Sequence, residues 1–266
     1  MLTALIWDLD GTLAETERDG HLVAFNEAFA ARGLPWRWSD EEYGELLQIT
    51  GGLERLLHDL ASRPEAPVEA PAREALARVL HAEKNRRYAA IVERGGISLR
   101  PGVLRLLREA MEQGVLLGLA TTTSRINAEA LLSARLGPQW RELFAAVICG
   151  EDAPRRKPDP QSYLRCLEAL RLDPEDAIAV EDSANGLRSA LGAGLWTLVT
   201  PTYWSEGGDF SGAGLVLPSL GDRDQPLAGE PGERLQSQAW LSVDELTRRA
   251  TAVPPPNSVQ ALYREP

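Results

Sequence analysis

The sequence predicts an α/β protein: a parallel, doubly wound sheet core with an inserted all-helical cap. Three observations support this fold class. Short apolar runs typical of buried strands alternate with amphipathic helical stretches, which indicates βαβ units. Between residues 15 and 94 the alternation stops and only helical patterns occur. The polar residues that could carry chemistry follow strand-like runs, at the edge of a parallel sheet where ligands bind.

Six strand-like runs define the predicted sheet. Each is short and rich in Val, Ile, Leu or Ala, which is typical of strands buried on both faces. The runs occupy residues 4–7, 115–120, 145–149, 177–180, 196–199 and 215–217. Amphipathic helical stretches lie near residues 101–113, 126–136, 160–171 and 185–193. Strands and helices in this order predict a parallel sheet with helices on both faces.

The interrupting segment has helical patterns of its own, at residues 17–32, 40–48, 53–61 and 71–93. We therefore predict an α/β core at residues 1–14 and 95–220, a helical cap at 15–94, and a partly irregular C-terminal extension at 221–266. In the extension, Ser242 and Glu245 have the spacing of a capping box that opens a short helix. We expect the tail that follows Pro254 to be partly disordered and assign it no catalytic role.

The composition of the chain argues against nucleic acids and membranes as partners. The chain has 266 residues and a formal net charge of −11, which argues against nucleic acid as the main partner. It contains no apolar run of about 18 residues and no basic, apolar N-terminal signal, so we expect no membrane partner and a cytoplasmic location. Cys149 and Cys166 lie in strand-like and helical patterns, and we interpret both as packed free thiols.

The use of basic residues is uneven. Of 28 basic side chains only Lys84 and Lys157 are lysine, so arginine supplies the generic positive charge of this chain. Lysine is a compact point charge on a flexible stem, and it does not replace arginine at a tuned site. Chance could place two lysines anywhere, but Lys157 falls inside a loop that separates two strand-like runs and precedes a helix.

The first strand-like run ends in two carboxylates. Asp8 and Asp10 are two residues apart, so along an extended chain they point the same way, and Gly11 allows the backbone to turn. Such a pair can hold a divalent cation and leave an oxygen free to attack phosphorus. Asp residues after strands also make turns or cap helices, so this motif alone leaves both interpretations open.

Three later segments complete a set. Thr121 follows the second strand-like run, Lys157 lies in a proline-flanked loop, and Glu181 and Asp182 follow the fourth run. With Asp8-Leu-Asp10-Gly-Thr, these segments resemble, in order, the four motifs of the haloacid dehalogenase (HAD) superfamily of phosphatases, and the resemblance covers roughly residues 1–220.

The resemblance implies a role for each motif residue. Asp8 would be the nucleophile and Asp10 the general acid and base. The Asp8 carboxylate, the Asp10 main-chain carbonyl and Asp182 would bind Mg²⁺, with Glu181 either a direct ligand or a hydrogen-bonding neighbour. The transferring phosphoryl would be held by Thr121 and neutralised by Lys157. The turn after Thr121 would supply further substrate contacts, from Thr122, Thr123, Ser124 and Arg125.

The predicted cap offers candidate substrate contacts. Gly51 and Gly52 precede a helix, an arrangement that can present N–H groups to an anion, and Arg55 adds a fork suited to phosphate. His81 and Lys84 lie three residues apart, on one helix face. The alternative is a structural role, because a single His is usually structural and Arg55 could pair on a solvated face.

Within the superfamily, the cap segments are most similar to the CbbY group. The similar pieces include Glu17 to His21, Tyr43 to Leu47, Gly51-Gly52-x-Glu54-Arg55 and His81-x-x-Lys84. The resemblance implies removal of one phosphate from xylulose 1,5-bisphosphate, a Rubisco inhibitor linked to the Calvin cycle, to give xylulose 5-phosphate. Glu17 and His21 would contact the sugar. The cap side of the site would be formed by Thr50, Gly51, Gly52, Glu54, Arg55, His81 and Lys84.

Several alternatives stay open. Arg125 stands where Asn is common in the group, and Leu53 stands where a basic residue can occur, so the sugar preference is not fixed by the sequence. A β-phosphoglucomutase-like mutase shares the catalytic set, and a non-catalytic phosphosugar-binding module could share the fold. The exact sugar phosphate and the oligomeric state are open as well, with a monomer favoured.

Overall fold

The computed structural model describes residues 2–237 and 239–252. In chain order its elements are β1 (Ala4–Trp7), a π-helical turn (Glu17–Leu22), α1 (Val23–Ala31), α2 (Asp40–Leu46), α3 (Gly52–Ser62), α4 (Ala70–Glu93), α5 (Val103–Glu112), β2 (Leu116–Ala120), α6 (Arg125–Leu136), α7 (Trp140–Leu143), β3 (Ala146–Ile148), α8 (Gln161–Leu170), a 3₁₀ turn (Pro174–Asp176), β4 (Ala177–Glu181), α9 (Ala184–Gly192), β5 (Trp196–Val199), β6 (Leu215–Val216), α10 (Glu230–Glu233) and α11 (Val243–Ala252).

The predicted sheet is confirmed. The strands pair in the order β3-β2-β1-β4-β5-β6, and every pair is parallel. The chain builds one half of the sheet from β1 to β3 and then crosses to the other side of β1 for β4. The strand order therefore reverses between β1 and β4. Ligands of open α/β sheets bind beyond the carboxyl ends of the strands at such a point.

Side-chain alternation along β1 divides the core into two layers. Leu5 and Trp7 point into one apolar layer, whereas Ala4 and Ile6 point into the other. Helices α5 and α6 cover the first layer, and α8 and α9 cover the second. All four β1 side chains are fully buried, which explains why the strand is a continuous apolar run in the sequence.

The helices between β1 and α5 form an aromatic core of their own. Phe25, Phe29, Trp38 and Tyr43 pack with Leu80 of α4 in a cluster separate from the two sheet layers. We call residues 15–94 the cap. Its exact limits, like those of the α/β core, remain proposals from the sequence.

The first cap helix differs from the prediction. A single helix was expected over residues 17–32, but it begins with a π-helical turn in which the His21 N–H donates to the Thr16 carbonyl, five residues back, at 2.8 Å. Gly20 in this turn lies against the core, where a Cβ would come within 2.7 Å of Ile97 Cδ1. The wider turn therefore accommodates a close approach of cap and core.

The C-terminal extension packs onto the sheet core. Leu241, Val243 and Leu246 are buried in the first apolar layer, and Arg105 of α5 donates to the carbonyls of Gly221 and Leu241. Half of the predicted capping box forms: Ser242 Oγ accepts from the Glu245 N–H, while the Glu245 carboxylate binds Arg248 and Arg249 instead. The predicted tail from Pro254 on lies outside the described residues.

Two further expectations can be compared with the structure. Cys149 and Cys166 are both buried free thiols, as predicted. Among the residues described, none of the helices combines the length and the apolar character needed to cross a bilayer.

Candidate active site

Strand geometry brings the ends of β1 and β4 together. The Asp8 N–H donates to the Val180 carbonyl at 3.0 Å, so Asp8 continues the β1–β4 ladder by one residue. The chain then turns at Gly11, whose φ is +80°. A Cβ on Gly11 would lie 2.5 Å from Asp182 Oδ2. Only glycine therefore allows the turn after Asp8 to lie against the Asp182 carboxylate.

A buried lysine joins the carboxylates of the two strand ends. Lys157 Nζ lies 2.6 Å from Asp8 Oδ1 and 2.6 Å from Glu181 Oε1. Tyr163 of α8 donates to the same Glu181 oxygen at 2.5 Å. These side chains are fixed by one another, so we call this group, with Thr12 and Asp182, the floor of the site.

The carboxylates of the floor are crowded. Oxygens of Asp8, Glu181 and Asp182 lie within 4.8 Å of one another. Burial raises the pKa of Asp8 to about 7, against the lowering effect of Lys157. Burial and the two neighbouring carboxylates raise the pKa of Asp182 well above its usual range. The same carboxylates have the opposite effect on Lys157. Burial acts to lower the pKa of its ammonium group, but the charges of Asp8 and Glu181 raise it.

This cluster fits a hard divalent cation. Three carboxylates against one ammonium leave a formal charge of −2, which one Mg²⁺ would balance, and carboxylate oxygens are the ligands that Mg²⁺ prefers. Glu181 is already engaged, since Oε1 accepts from Lys157 and Tyr163 and Oε2 from the Asp182 N–H. Asp8 and Asp182 are therefore the side chains best placed to bind the cation directly.

Asp10 is held by the cap and by the loop after β2. His21 Nε2 lies 3.0 Å from Asp10 Oδ1, and Thr123 Oγ1 donates to Oδ2. Burial acts to raise the pKa of Asp10, but His21 and Thr123 together hold it well below its usual value. In this arrangement Asp10 is ionised, which is the form of a general base.

The turn after β2 begins with a local hydrogen bond. Thr121 is buried, its N–H donates to the Ile148 carbonyl, and its hydroxyl accepts from the Thr123 N–H at 3.1 Å. Arg125, at the start of α6, turns away: its guanidinium binds Asp152. The structure thus does not bring the Arg125 side chain to the other predicted substrate contacts, and Asp152 is the reason.

A cavity of about 670 Å³ separates this floor from the cap. A cleft of that size accommodates a small phosphorylated sugar. The remaining predicted site residues all line it, from both sides: Asp8, Asp10, Glu17, His21, Thr50, Gly51, Gly52, Glu54, Arg55, His81, Lys84, Thr121, Thr122, Thr123, Ser124, Lys157, Glu181 and Asp182.

Lys84 is the unusual side chain of the cap. It is 4% exposed, and its Nζ lies over the rings of Phe25 and Tyr88 at 5.1 and 5.2 Å. Within residues 2–237 and 239–252, no carboxylate or hydrogen-bond acceptor pairs with this ammonium group. Burial lowers its pKa to about 8, although the Asp10 and Glu17 carboxylates act to raise it. The neighbouring His81 is affected in the same direction, because burial and the Lys84 charge lower its pKa to about 4.

The Arg55 guanidinium makes several hydrogen bonds within the cap that the sequence did not predict. It is buried, and its Nε donates to the Leu46 and Ile49 carbonyls at 3.1 and 3.3 Å. Its Nη1 donates to the Tyr43 hydroxyl at 2.9 Å. The predicted alternative of a solvated surface pair is therefore not what forms. Arg55 organises the loop before α3 while one edge of it faces the cavity.

Two residues outside the predicted site connect cap and core. Asn185 Nδ2 donates to the Gln48 carbonyl and to Thr50 Oγ1, both at 3.2 Å. Arg156 lies 3.5 Å from Glu54. The only available signal was position: Asn185 and Arg156 each lie within a few residues of a motif residue.

Several known proteins resemble this chain in sequence and in fold. A model described as haloacid dehalogenase-like hydrolase matches residues 2–194. Protein CbbY from Cupriavidus necator is 48% identical over 227 residues, which are 85% of this chain and 89% of that protein. The crystal structure of CbbY from Rhodobacter sphaeroides in complex with phosphate matches with a TM-score of 0.77 at 43% identity and covers 82% of this chain and 95% of that chain.

A second crystal structure adds a ligand to the comparison. A mutant CbbY from Rhodobacter sphaeroides was solved in complex with xylulose-(1,5)bisphosphate. It matches with the same TM-score of 0.77 at 42% identity, again over 82% of this chain and 95% of that chain.

Proposed function

The chain belongs to the haloacid dehalogenase-like hydrolases, and from that premise we propose that it removes one phosphate from a sugar bisphosphate, most favourably from xylulose 1,5-bisphosphate. The product would be xylulose 5-phosphate. The observation that carries the proposal is the position of the two lysines. Lys157 lies in the floor beside the nucleophile, and Lys84 lies in the cap over two aromatic rings, with no hydrogen bond or ion pair to another described side chain.

The floor suits phosphoryl transfer to a carboxylate. Asp8 attacks phosphorus in line, the bond from phosphorus to the sugar oxygen breaks, and an aspartyl-phosphate forms. Asp10, which is ionised before substrate binds, takes up a proton from the phosphate monoanion of the substrate and gives it to the leaving oxygen. Water then attacks the aspartyl-phosphate, Asp10 takes up the proton of that water, and Asp8 and inorganic phosphate are released.

His21 and Thr123 serve the second step. They stabilise ionised Asp10, which is the form that accepts a proton from water. Thr121 lies at the cavity wall with its hydroxyl beside the Thr123 N–H, where the turn can hold phosphoryl oxygens. Lys157 offsets negative charge on Asp8 throughout.

We assign the cofactor as Mg²⁺, bound by Asp8 and Asp182 with the Asp10 main-chain carbonyl that the family resemblance implies. The cation would polarise the phosphoryl group and offset its charge. Glu181 keeps Lys157 and Tyr163 in place and so supports the site indirectly.

The cap supplies what a second phosphate needs. An unpaired, buried ammonium is unfavourable unless an anion joins it. Lys84 faces the same cavity as Lys157, with His81 and the Gly51-Gly52 turn beside it. A bisphosphate can fill both positions, with the sugar between them near Glu17 and His21.

A substrate panel tests the proposal. Purified enzyme is assayed with xylulose 1,5-bisphosphate, ribulose 1,5-bisphosphate, β-glucose 1-phosphate and an aryl phosphate, and both released phosphate and sugar products are measured. We expect the highest kcat/KM for xylulose 1,5-bisphosphate, with release of inorganic phosphate. Conversion of β-glucose 1-phosphate to an isomeric phosphate would instead indicate a mutase, and no turnover of any ester would indicate a binding module.

The metal assignment has its own test. Asp182→Ala removes one of two proposed side-chain ligands, so the Mg²⁺ concentration for half-maximal activity should rise by at least about 100-fold. Isothermal titration with Mg²⁺ should show the same loss of affinity. Full wild-type activity in excess chelator would contradict the assignment.

A further inference from the structure

A chain of hydrogen bonds runs behind the cap wall of the cavity. The Tyr43 hydroxyl donates to Glu17 Oε2 at 2.5 Å and accepts from Arg55 Nη1 at 2.9 Å. Arg55 is itself fixed by the carbonyls of Leu46 and Ile49. Glu17 and Arg55 line the cavity, whereas Tyr43 is fully buried behind them.

Only one of the two carboxylate oxygens of Glu17 takes part in this chain of hydrogen bonds. Oε2 accepts from Tyr43, and for Oε1 no donor is present in the described part of the chain. Glu17 lies in the π-helical turn, four residues before His21, and both side chains reach the cavity. A carboxylate held at one oxygen can accept a sugar hydroxyl at the other without first losing its rotational freedom.

Tyr43 is well suited to hold that oxygen. Its ring packs against Trp38 and Trp204, with centroids 5.9 and 5.6 Å away. Burial and the Glu17 charge raise the pKa of Tyr43 well above its usual value, so the hydroxyl stays protonated and donates.

One of those rings belongs to the core. Trp204 lies in the loop between β5 and β6, and its indole reaches α2 of the cap, where Gly44 leaves room for it. A Cβ on Gly44 would lie 3.0 Å from Trp204 Cδ1. The environment of Tyr43 is therefore completed only where the cap lies on the core.

We infer that Tyr43 is a positioning residue for sugar recognition, which orients the Glu17 carboxylate toward the sugar hydroxyls when the cap and the Trp204 loop are together. The inference rests on the proposed function, because it requires a sugar phosphate as the substrate. It adds to that function the selectivity for the sugar over a simple ester.

A double-mutant cycle tests the inference. Tyr43→Phe, Glu17→Gln and the double variant are compared on the best sugar phosphate of the panel and on an aryl phosphate. Tyr43→Phe should lower kcat/KM for the sugar phosphate by about tenfold, mainly through KM, with a clearly smaller fall for the aryl phosphate. In the Glu17→Gln background the same substitution should change kcat/KM by less than about twofold.

Tyr203→Phe serves as the matched control. Tyr203 adjoins Trp204 but is 81% exposed, so loss of its hydroxyl should leave both activities and the melting temperature unchanged. Circular dichroism of all variants checks that the fold is retained.

The outcomes separate two failures. Equal losses of Tyr43→Phe on both substrates, or full additivity with Glu17→Gln, would overturn the positioning role while leaving a sugar phosphatase in place. An enzyme that hydrolyses the aryl phosphate but no sugar phosphate would overturn the proposed function and this inference together.

Discussion

The floor and the cap differ in how far their polar groups are already paired. In the floor, Lys157 contacts two carboxylates at 2.6 Å each, and Tyr163 supports one of them. In the cap, Lys84 rests on two aromatic rings, and in the described part of the chain no carboxylate forms an ion pair with it. Both lysines are almost completely buried, so the difference lies in partners and not in exposure.

The difference indicates a division of tasks. A preorganised floor needs no rearrangement when charge develops on the phosphoryl group, which every substrate shares. The unpaired ammonium group in the cap is stabilised when a second anionic group of the substrate binds beside it. Not every substrate has such a group. We therefore expect floor variants to affect all phosphate esters and cap variants to discriminate among them.

The largest effect is expected from Asp8→Asn. The amide cannot form an acyl-phosphate, so kcat should fall by at least about 10⁴-fold on every substrate. The isosteric change also removes one of three crowded carboxylates, so the metal-free protein should remain folded. Phosphate release and circular dichroism measure the two effects. A folded variant with substantial turnover would exclude the covalent mechanism.

Lys157→Ala should have the next largest effect. Its loss leaves Asp8 and Glu181 without a cation, so the free energy of unfolding should fall by about 3–5 kcal/mol. The rate should fall by about 10²–10³-fold on monophosphates and bisphosphates alike. Denaturant titration and steady-state kinetics on both substrate types provide the check. A loss confined to bisphosphates would reverse the roles of floor and cap.

Lys84→Met should separate the substrates. Methionine keeps the apolar stem against Phe25 and Tyr88, so the fold should be unaffected or slightly stabilised. Loss of the charged contact should raise KM for the bisphosphate by about 10–100-fold, with little change for an aryl phosphate. Equal damage to both substrates would instead point to a role of Lys84 in cap closure.

The smallest effect is a dependence on pH. The pKa of Lys84 is about 8, so its charge is present below that pH and is lost as the pH rises through it. The kcat/KM for the bisphosphate, which reports the free enzyme, should therefore fall above pH 8. This fall should be no larger than the fall in kcat/KM that Lys84→Met causes. The aryl phosphate and the Lys84→Met variant should lack this alkaline limb. If kcat/KM falls at alkaline pH for both substrates, the titrating group belongs to the floor and is not Lys84.

Sequence patterns predicted the sheet and the edge of it at which several candidate site residues lie, for a physical reason. Buried parallel strands are continuous apolar runs, and the residues that follow them meet at one edge, so Asp8, Thr121 and Asp182 could be placed together. Contacts that depend on how the cap packs could not be derived. Tyr43 donates to Glu17, which is 26 residues away in sequence, and Arg125 forms an ion pair with Asp152 outside the cavity. Neither pairing has a local sequence signal.

The distribution of the two lysines has a consequence for chemical labelling. They are the only side-chain amines of the chain, and both line the cavity. An acylating reagent reacts with the neutral amine, so Lys84, with a pKa of about 8, should react much faster than Lys157, which two carboxylates keep protonated. Peptide mapping of the acylated protein would thus report access beneath the cap, at one position and without an introduced probe.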